Sequence, residues 1–377
     1  MGIHEFIDEG KQMSEQPIKG QSVSRKKGKQ YLPVKILMIV VAALLFMALI
    51  ATTIWYAMKS SGYQNLYQKW SGKAPTMNLE ELNEGEAEVG WQDDWIRYDG
   101  KVYQYNENIL TFLIMGIDKK SEVEETTNGV SGGQSDANFL VVMDPDKETI
   151  QLICINRDSM TNIDVYDYLG NYSYTTTAQL ALQHAYGSSN EENADNMVQA
   201  VSNLLYGLPI HGYCAIHMSA IEDINDAMGG VTVTCLDDLT KYDASLRKGA
   251  TVTLKGKQAY HYTHDRDLKA FESNRARLQR QKQYLGAFVT QAKKAVSKNP
   301  TVTVSLYNNL KKYMTTDLTL DEVTYLVSTA MEYSFDTDSV VTLEGQTKMG
   351  DFYEEFYPDE EALQKLVVDT FYEEVQN

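Results

Sequence analysis

"ILTFLIMGID" (residues 109–118) and "ANFLVVMDPDKETIQLICINRD" (residues 137–158) decide the fold. Each apolar run has the length of a strand rather than a helix and is rich in Ile, Val, Leu and Phe. The runs are continuous instead of alternating, the pattern of a sheet covered on both faces. A tight turn at Pro145 sends 149–156 back along 137–143, and 137–143 runs back along 109–117. Such an up-down-up meander places Asp118, Asp136, Arg157 and Asp158 at one end of the sheet. The connection "TTNGVSGGQSD" (126–136) is a glycine-rich loop at that same end.

Working outward, helical patterns supply the covering layers. "TTAQLALQHAYG" (176–187), "ENADNMVQAVSNLLYG" (192–207) and "SAIEDINDAMGG" (219–230) each end on glycine, the usual stop. "VTVTCL" (231–236), "ATVTL" (250–254) and "SVVTLEG" (339–345) read as strands. A short helix is expected in "KGKQAYHYTH" (255–264) and a long one over 274–297, with two more at 319–333 and 359–374. The expected fold is α/β, a three-layer α-β-α sandwich with a mixed central sheet. Walker and dinucleotide-binding glycine motifs are absent, as is any internal repeat.

The segment Ile36–Met58 holds 23 residues without a charge, bracketed by Lys35 and Lys59. At ~1.5 Å per residue it covers the ~30 Å hydrocarbon core of a bilayer, so one transmembrane helix is expected to precede the fold. Seven basic residues against four acidic ones lie before it, a flank that stays in the cytoplasm. This divides the chain into a cytoplasmic tail (1–35), a transmembrane helix (36–58), an extracytoplasmic stalk or accessory segment that ends by packing on the main domain (59–105) and a main domain (106–377). The expected location is the plasma membrane, single-pass, with the C-terminal domain outside. Net charge is −18, and the 319 residues after Met58 carry 27 basic against 48 acidic residues. So acidic a surface argues against nucleic acid as a partner. Three cysteines, in short apolar runs, read as buried thiols rather than a disulfide framework.

In "SNRARLQRQKQYL" (273–285) three arginines fall within six residues. At ~100° per residue, Arg277 and Arg280 are neighbours one turn apart, flanking a stripe formed by Leu278, Leu285, Val289 and Ala292. Guanidiniums at the edge of a core suit bidentate capture of phosphate or carboxylate; salt bridges to the chain's own carboxylates are the other use of such a pair.

In order along the chain, these pieces resemble the LytR-CpsA-Psr family of membrane-anchored envelope enzymes. The set comprises Gly116 to Asp118, Ser135-Asp136, Arg157-Asp158, Gly229-Gly230, Leu254 to Tyr262, and R-x-x-R-Q at Arg277 to Gln281. The resemblance implies transfer of a glycopolymer, such as teichoic acid or capsule, from a polyprenyl-pyrophosphate carrier to peptidoglycan or another wall acceptor. Polyprenyl phosphate is released, with a pyrophosphatase side activity. It further implies a lipid groove, Mg²⁺ held by Asp118 and Asp136, and charge neutralisation by Arg157, Arg266, Arg277 and Arg280. Gln281 would donate a hydrogen bond, and Asp118 or Asp158 would take the acceptor's proton.

Departures from the family pattern weaken the implied positive charge. Gln134 stands where an arginine is usual before Ser135-Asp136, and His264-Asp265-Arg266 replaces R-x-R. Asn156 replaces a proline, and Asn274 stands near a usual aspartate. With Gln134 and His264 as substrate-binding groups, a neutral hydrogen bond worth ~0.5–1.5 kcal/mol replaces a charged one worth ~1.5–3 kcal/mol. A catalytically weak or inactive binding protein for pyrophosphate-linked lipid or wall glycan is the alternative reading. The tyrosine-rich "YDYLGNYSYTTT" (166–177) reads as ordinary aromatics or as the lining of a sugar site.

Overall fold

The computed structural model describes residues 31–69, 74–77, 91–126, 128–267, 269–299, 301–336 and 338–375, with side chains of the first helix given from Phe46 to Tyr67. Residues 1–30 of the expected cytoplasmic tail, and 70–73 and 78–90 of the expected stalk, lie outside that set. The chain divides between Ile54 and Trp55 into two compact units.

Helix α1 (Tyr31–Lys69) contains the whole 36–58 run. Phe46, Leu49, Ile50 and Ile54 are exposed on it. Among the residues whose side chains are described, no helix is long and apolar enough to cross a membrane.

In the second unit, the last turns of α1 pack through Leu66, which is fully buried. The hairpin β1 (Trp95–Tyr98) and β2 (Lys101–Tyr105) follows. Then come the three strands expected from the opening motifs: β3 (Leu110–Ile117), β4 (Ser135–Asp144) and β5 (Thr149–Ile155). They form the antiparallel meander, with Gly116 opposite Ala137 and Asn138 opposite Ile155. A second hairpin, β6 (Met160–Tyr166) and β7 (Tyr172–Gln179), leads through a 3₁₀ turn (Leu180–Ala185) to α2 (Asn190–Leu204).

The helix expected over 176–187 does not form. Thr175 and Thr177 are β-branched and pair across the hairpin, donating to Asp164 at 2.5 Å and Asn162 at 3.1 Å. Strand pairing overrides the helical spacing of the apolar residues there.

The rest of the chain completes the layers. In order come β8 (Gly212–His217), α3 (Ile221–Ala227), β9 (Val231–Thr234), β10 (Thr251–Leu254), α4 (Lys257–His264) and α5 (Ser273–Lys298). Then follow α6 (Thr301–Leu310), β11 (Met314–Thr316), α7 (Leu320–Glu332) and β12 (Val340–Thr342). Last are β13 (Gly345–Met349), β14 (Glu354–Pro358), α8 (Glu360–Phe371) and β15 (Tyr372–Glu374).

The central sheet runs β11-β8-β3-β4-β5-β12, with β3–β8 and β5–β12 parallel and the other pairs antiparallel, so it is mixed as expected. One face packs Leu113, Leu140 and Ile153 against α2 and α8 through Met197, Val201 and Val368. The other packs Leu110, Phe112 and Leu152 against α5 and α7 through Leu285, Val289 and Tyr325. Burial on both faces explains the unbroken apolar runs.

Strands β9 and β10 are not in that sheet; they pair with each other and pack on α4 and α5 as a satellite core. At the opposite edge of the chain, β2 pairs with β15, so residues 101–105 of the segment read as a stalk are tied to the last strand. The same segment's start is helical, and Ser61 Oγ donates to Asp321 Oδ2 at 2.7 Å on α7.

Candidate active site

The site is built where the meander ends. Asp118 follows β3 and its backbone N–H donates to the Gln134 carbonyl at 2.9 Å, which brings the glycine-rich loop against the strand end. Gly132 lets that loop settle, since a Cβ there would lie 2.1 Å from the His184 carbonyl oxygen. Asp136 is the second residue of β4, and Arg157 and Asp158 follow β5, so all four reach the same end of the sheet.

Helix α5 closes the other side. Asp136, only 6% exposed, sits between two guanidiniums: Arg157 Nη1 lies 2.6 Å from Oδ1 and Arg277 Nη1 donates to Oδ2 at 2.8 Å. Arg157 also donates to Gln134 Oε1 at 2.5 Å, so Gln134 acts here as an acceptor. Arg277 Nη2 donates to Asn274 Oδ1 at 3.1 Å, and Asn274 in turn donates to Asp158 Oδ2. Gln179, at the end of β7, donates to Asp158 Oδ1 at 3.1 Å. Both Asp158 oxygens are thus engaged, and burial pushes its carboxyl above the usual range although Arg157 and Asn274 oppose that.

Arg266 Nη1 donates to Ser273 Oγ at 2.9 Å. Burial, with the like charges of Arg277 and Arg157, pushes its guanidinium pKa down. Three guanidiniums thus lie within mutual influence, partly offset by the Asp136 and Asp158 carboxylates.

The last turn of α4 supplies His264. Its Nε2 lies 3.6 Å from Asp118 Oδ1, and its Nδ1 lies 2.9 Å from Asp265 Oδ1. Burial pulls the imidazole pKa down, but the Asp118 and Asp265 carboxylates outweigh it and the net shift is upward. Asp118, half exposed, is held below the usual carboxylate range by His264, against burial, with help from Lys120 and Arg157. Asp118, Asp136 and His264 each offer one ligand atom, all within 4.8 Å of one another.

Arg280 and Gln281 take other places. Arg280 is 1% exposed, donates through Nη2 to the Asp265 carbonyl at 2.6 Å, and has Nε 3.1 Å from Asp237 Oδ2. Gln281 Nε2 donates to the Thr263 carbonyl at 3.0 Å. These two side chains hold α5 to the end of α4 and so place His264 and Arg266; their hydrogen bonds go to that backbone.

Glu354 on β14 belongs to the surroundings of the site and escaped sequence reasoning. Its Oε1 accepts from the Glu272 N–H at 2.8 Å, and its carbonyl accepts from Gln179 at 2.6 Å. Burial and then the neighbouring Asp158 push its carboxyl pKa up, although the Glu272 N–H and Arg266 oppose that. Nothing in "DFYEEFYP" signals this role, because the contact spans some eighty residues of chain.

An apolar groove of about 180 Å³ opens beside the charged cluster. Ile114, Gly116, Ala137 and Phe139 of the sheet form one wall, and Ile221, Ile224, Tyr284, Leu285 and Phe288 of the helices form the other. Gly116 and Ala137 are close neighbours of Asp118 and Asp136 in the chain, while Thr263 and Gln281 line the groove near His264.

The model of the LytR_cpsA_psr family matches residues 73–370. The chain belongs to this family. Among LytR_cpsA_psr relatives, the polyisoprenyl-teichoic acid–peptidoglycan teichoic acid transferase TagU of Oceanobacillus iheyensis is 24% identical over 256 residues, covering 66% of this chain and 71% of its own length. TagV of Bacillus subtilis, a transferase of the same description, is 26% identical over 195 residues, covering 50% of this chain and 45% of its own. With TagU of Bacillus licheniformis the match again spans 45% of the relative, so the chain spans about half the length of some of the curated relatives it matches.

Solved structures of the family agree in fold. The crystal structure of B. subtilis TagV superposes with a TM-score of 0.53 at 20% identity, covering 70% of this chain and 96% of that one. TagT bound to LIIa-WTA gives 0.52 at 24% identity, covering 70% and 89%.

Proposed function

We propose that this LytR_cpsA_psr protein is a membrane-anchored transferase that moves a cell-wall glycopolymer from a polyprenyl-pyrophosphate carrier to the wall and releases polyprenyl phosphate. The observation that carries the reading is the apolar groove ending at a cluster of guanidiniums and carboxylates. A lipid-linked pyrophosphate has that same order of parts, a long apolar chain and then a concentrated anion. The names of the TagU and TagV relatives as teichoic acid transferases support it.

In this reaction the acceptor hydroxyl oxygen bonds to the phosphorus nearer the sugar, and the bond from that phosphorus to the bridging oxygen breaks. The electron pair leaves with polyprenyl phosphate. Little covalent chemistry falls to the protein, which positions the groups and neutralises growing charge. Arg157, Arg266 and Arg277 face the leaving phosphate; Arg280 and Gln281 hold the backbone that carries Arg266. The hydroxyl's proton passes to Asp118, the carboxylate that an acceptor hydroxyl can reach, since it is half exposed. Asp158, with both oxygens engaged, orients Asn274 and through it Arg277.

The residues present fit a divalent cation. Asp136 Oδ1 is buried and accepts no hydrogen bond of good geometry although Arg157 lies beside it, and Asp118 offers a second hard oxygen nearby. Mg²⁺ bound there would neutralise pyrophosphate oxygens. The segment 36–58 serves as the anchor, with the N-terminus cytoplasmic and the folded unit outside.

A second reading has one observation in its favour. Asp136 is already paired with two arginines, and Gln134 and His264 replace fixed charges, so the site can hold pyrophosphate-linked lipid with slow turnover. The deciding experiment uses full-length protein, lipid-linked glycopolymer and peptidoglycan, and follows release of polyprenyl phosphate. Release that needs Mg²⁺ and falls at least about 100-fold in Asp118→Ala supports transfer. Tight lipid binding without release in the wild type supports the binding reading.

A further inference from the structure

We infer that His264 is a metal ligand, and that with Asp118 and Asp136 it makes a mixed nitrogen–oxygen site that favours a first-row transition cation over Mg²⁺. The inference rests on the metal-site reading above and goes beyond it, because two carboxylates alone suit Mg²⁺.

The tautomer follows from the partners of the ring. Asp265 Oδ1, 2.9 Å from Nδ1, is a carboxylate oxygen and only accepts, so Nδ1 carries a proton. The remaining nitrogen, Nε2, is the one directed at the Asp118 carboxylate, 3.6 Å away. Two electron-rich groups facing each other at that distance need a positive charge between them. A cation held between them, with Asp136 as the third ligand, meets that need. A carboxylate behind the distal nitrogen of a ligating histidine fixes the ring and raises its basicity.

Asp265 is itself held in position. Its Oδ2 lies 2.6 Å from His261 Nδ1, and Arg280 donates to its carbonyl at 2.6 Å. Tyr260 stacks on the His264 ring with centroids 4.6 Å apart and planes inclined by 21°, which limits rotation about the ring axis. Arg280, buried yet turned from the carboxylate pair, thereby has a purpose as a positioning residue for His264.

Ligand chemistry then sets the preference. Mg²⁺ takes oxygen ligands and demands near-octahedral geometry, whereas an imidazole nitrogen suits first-row transition ions and strengthens binding along that series.

The test uses Mn²⁺ as a paramagnetic probe on full-length protein freed of metal by chelation. Loss of the free-ion electron paramagnetic resonance signal gives the Mn²⁺ affinity, and competition gives that of Mg²⁺. Pulsed measurements on bound Mn²⁺ report directly whether a ¹⁴N nucleus is coordinated. The expected result is a ¹⁴N coupling in the wild type, lost in His264→Gln, and a Mn²⁺-over-Mg²⁺ preference that falls at least about tenfold in that variant. Bound Mn²⁺ without a ¹⁴N coupling in the wild type, or a coupling that survives in His264→Gln, overturns the inference while leaving a carboxylate metal site standing. Failure of the wild type to bind either ion overturns both readings. The wild-type spectrum decides the matter even should His264→Gln fold poorly.

Discussion

Replacing Asp136 by asparagine removes one negative charge from a position enclosed by Arg157 at 2.6 Å and Arg277 at 2.8 Å. Asparagine has nearly the same shape, so the change isolates charge. All three side chains are largely buried, with 6% of Asp136, 12% of Arg157 and 4% of Arg277 exposed. Solvent therefore screens little of the loss. Breaking a buried pair by neutralising one partner costs about 3–5 kcal/mol, because the remaining charge has no counterion. For a unit of this size that corresponds to a fall in melting temperature of roughly 4–8 °C. Thermal unfolding of the wild type and Asp136→Asn measures it.

Two further outcomes follow from the same geometry. Asp136→Asn combined with Arg277→Met should recover part of the loss, with a coupling of about 0.5–3 kcal/mol. Inorganic pyrophosphate should raise the melting temperature of Asp136→Asn by more than that of the wild type, since the anion replaces the missing charge. A loss under about 1 kcal/mol without coupling would refute the view that this carboxylate organises the arginines.

Buried histidines set the acid limit of the fold. Burial pushes both His184 and His211 down to about 4 from the usual ~6.5. The unfolded chain binds their protons first, so this contribution is intact above pH ~6.5 and is lost progressively as pH falls toward about 4. Each can cost up to roughly 3 kcal/mol there, and His184→Gln should flatten the fall in melting temperature across that window; an unchanged slope would show that His184 is not buried as a neutral ring. In the groove, Ile224 is half-buried and lines the wall without belonging to the packed cores. Ile224→Glu should reduce polyprenyl lipid retained on purification several-fold while changing stability by less than about 1 kcal/mol. Equal lipid retention would separate the groove from the substrate.

Much of the site was legible because it depends on local order. The meander needs only strand length, a turn at Pro145 and two-face burial, and these alone bring Asp118, Asp136, Arg157 and Asp158 together. Helical spacing likewise marked Arg277 as a residue at the edge of the core. Spacing could not tell which way a guanidinium turns: Arg280, one turn away, reaches the Asp265 carbonyl instead of the carboxylate pair. Gln179 and Glu354 enter through long-range pairing of hairpins, which leaves no local trace. The threonine run before Gln179 misled in the same way, since its partner strand β6 decides its conformation. Residues 101–105 are expected to pack on the main domain, but their partner strand, β15, is contributed by the far end of the chain and leaves no local signal.

The most direct measurement is mass spectrometry of the lipids that co-purify with the full-length protein expressed in membranes, compared between wild type and Arg157→Ala. Polyprenyl pyrophosphate or its glycan-linked form, present with the wild type and depleted with the variant, is the predicted result. Recovery of bulk phospholipid alone with both proteins would contradict the claim that the groove and the arginine cluster together hold a lipid-linked pyrophosphate.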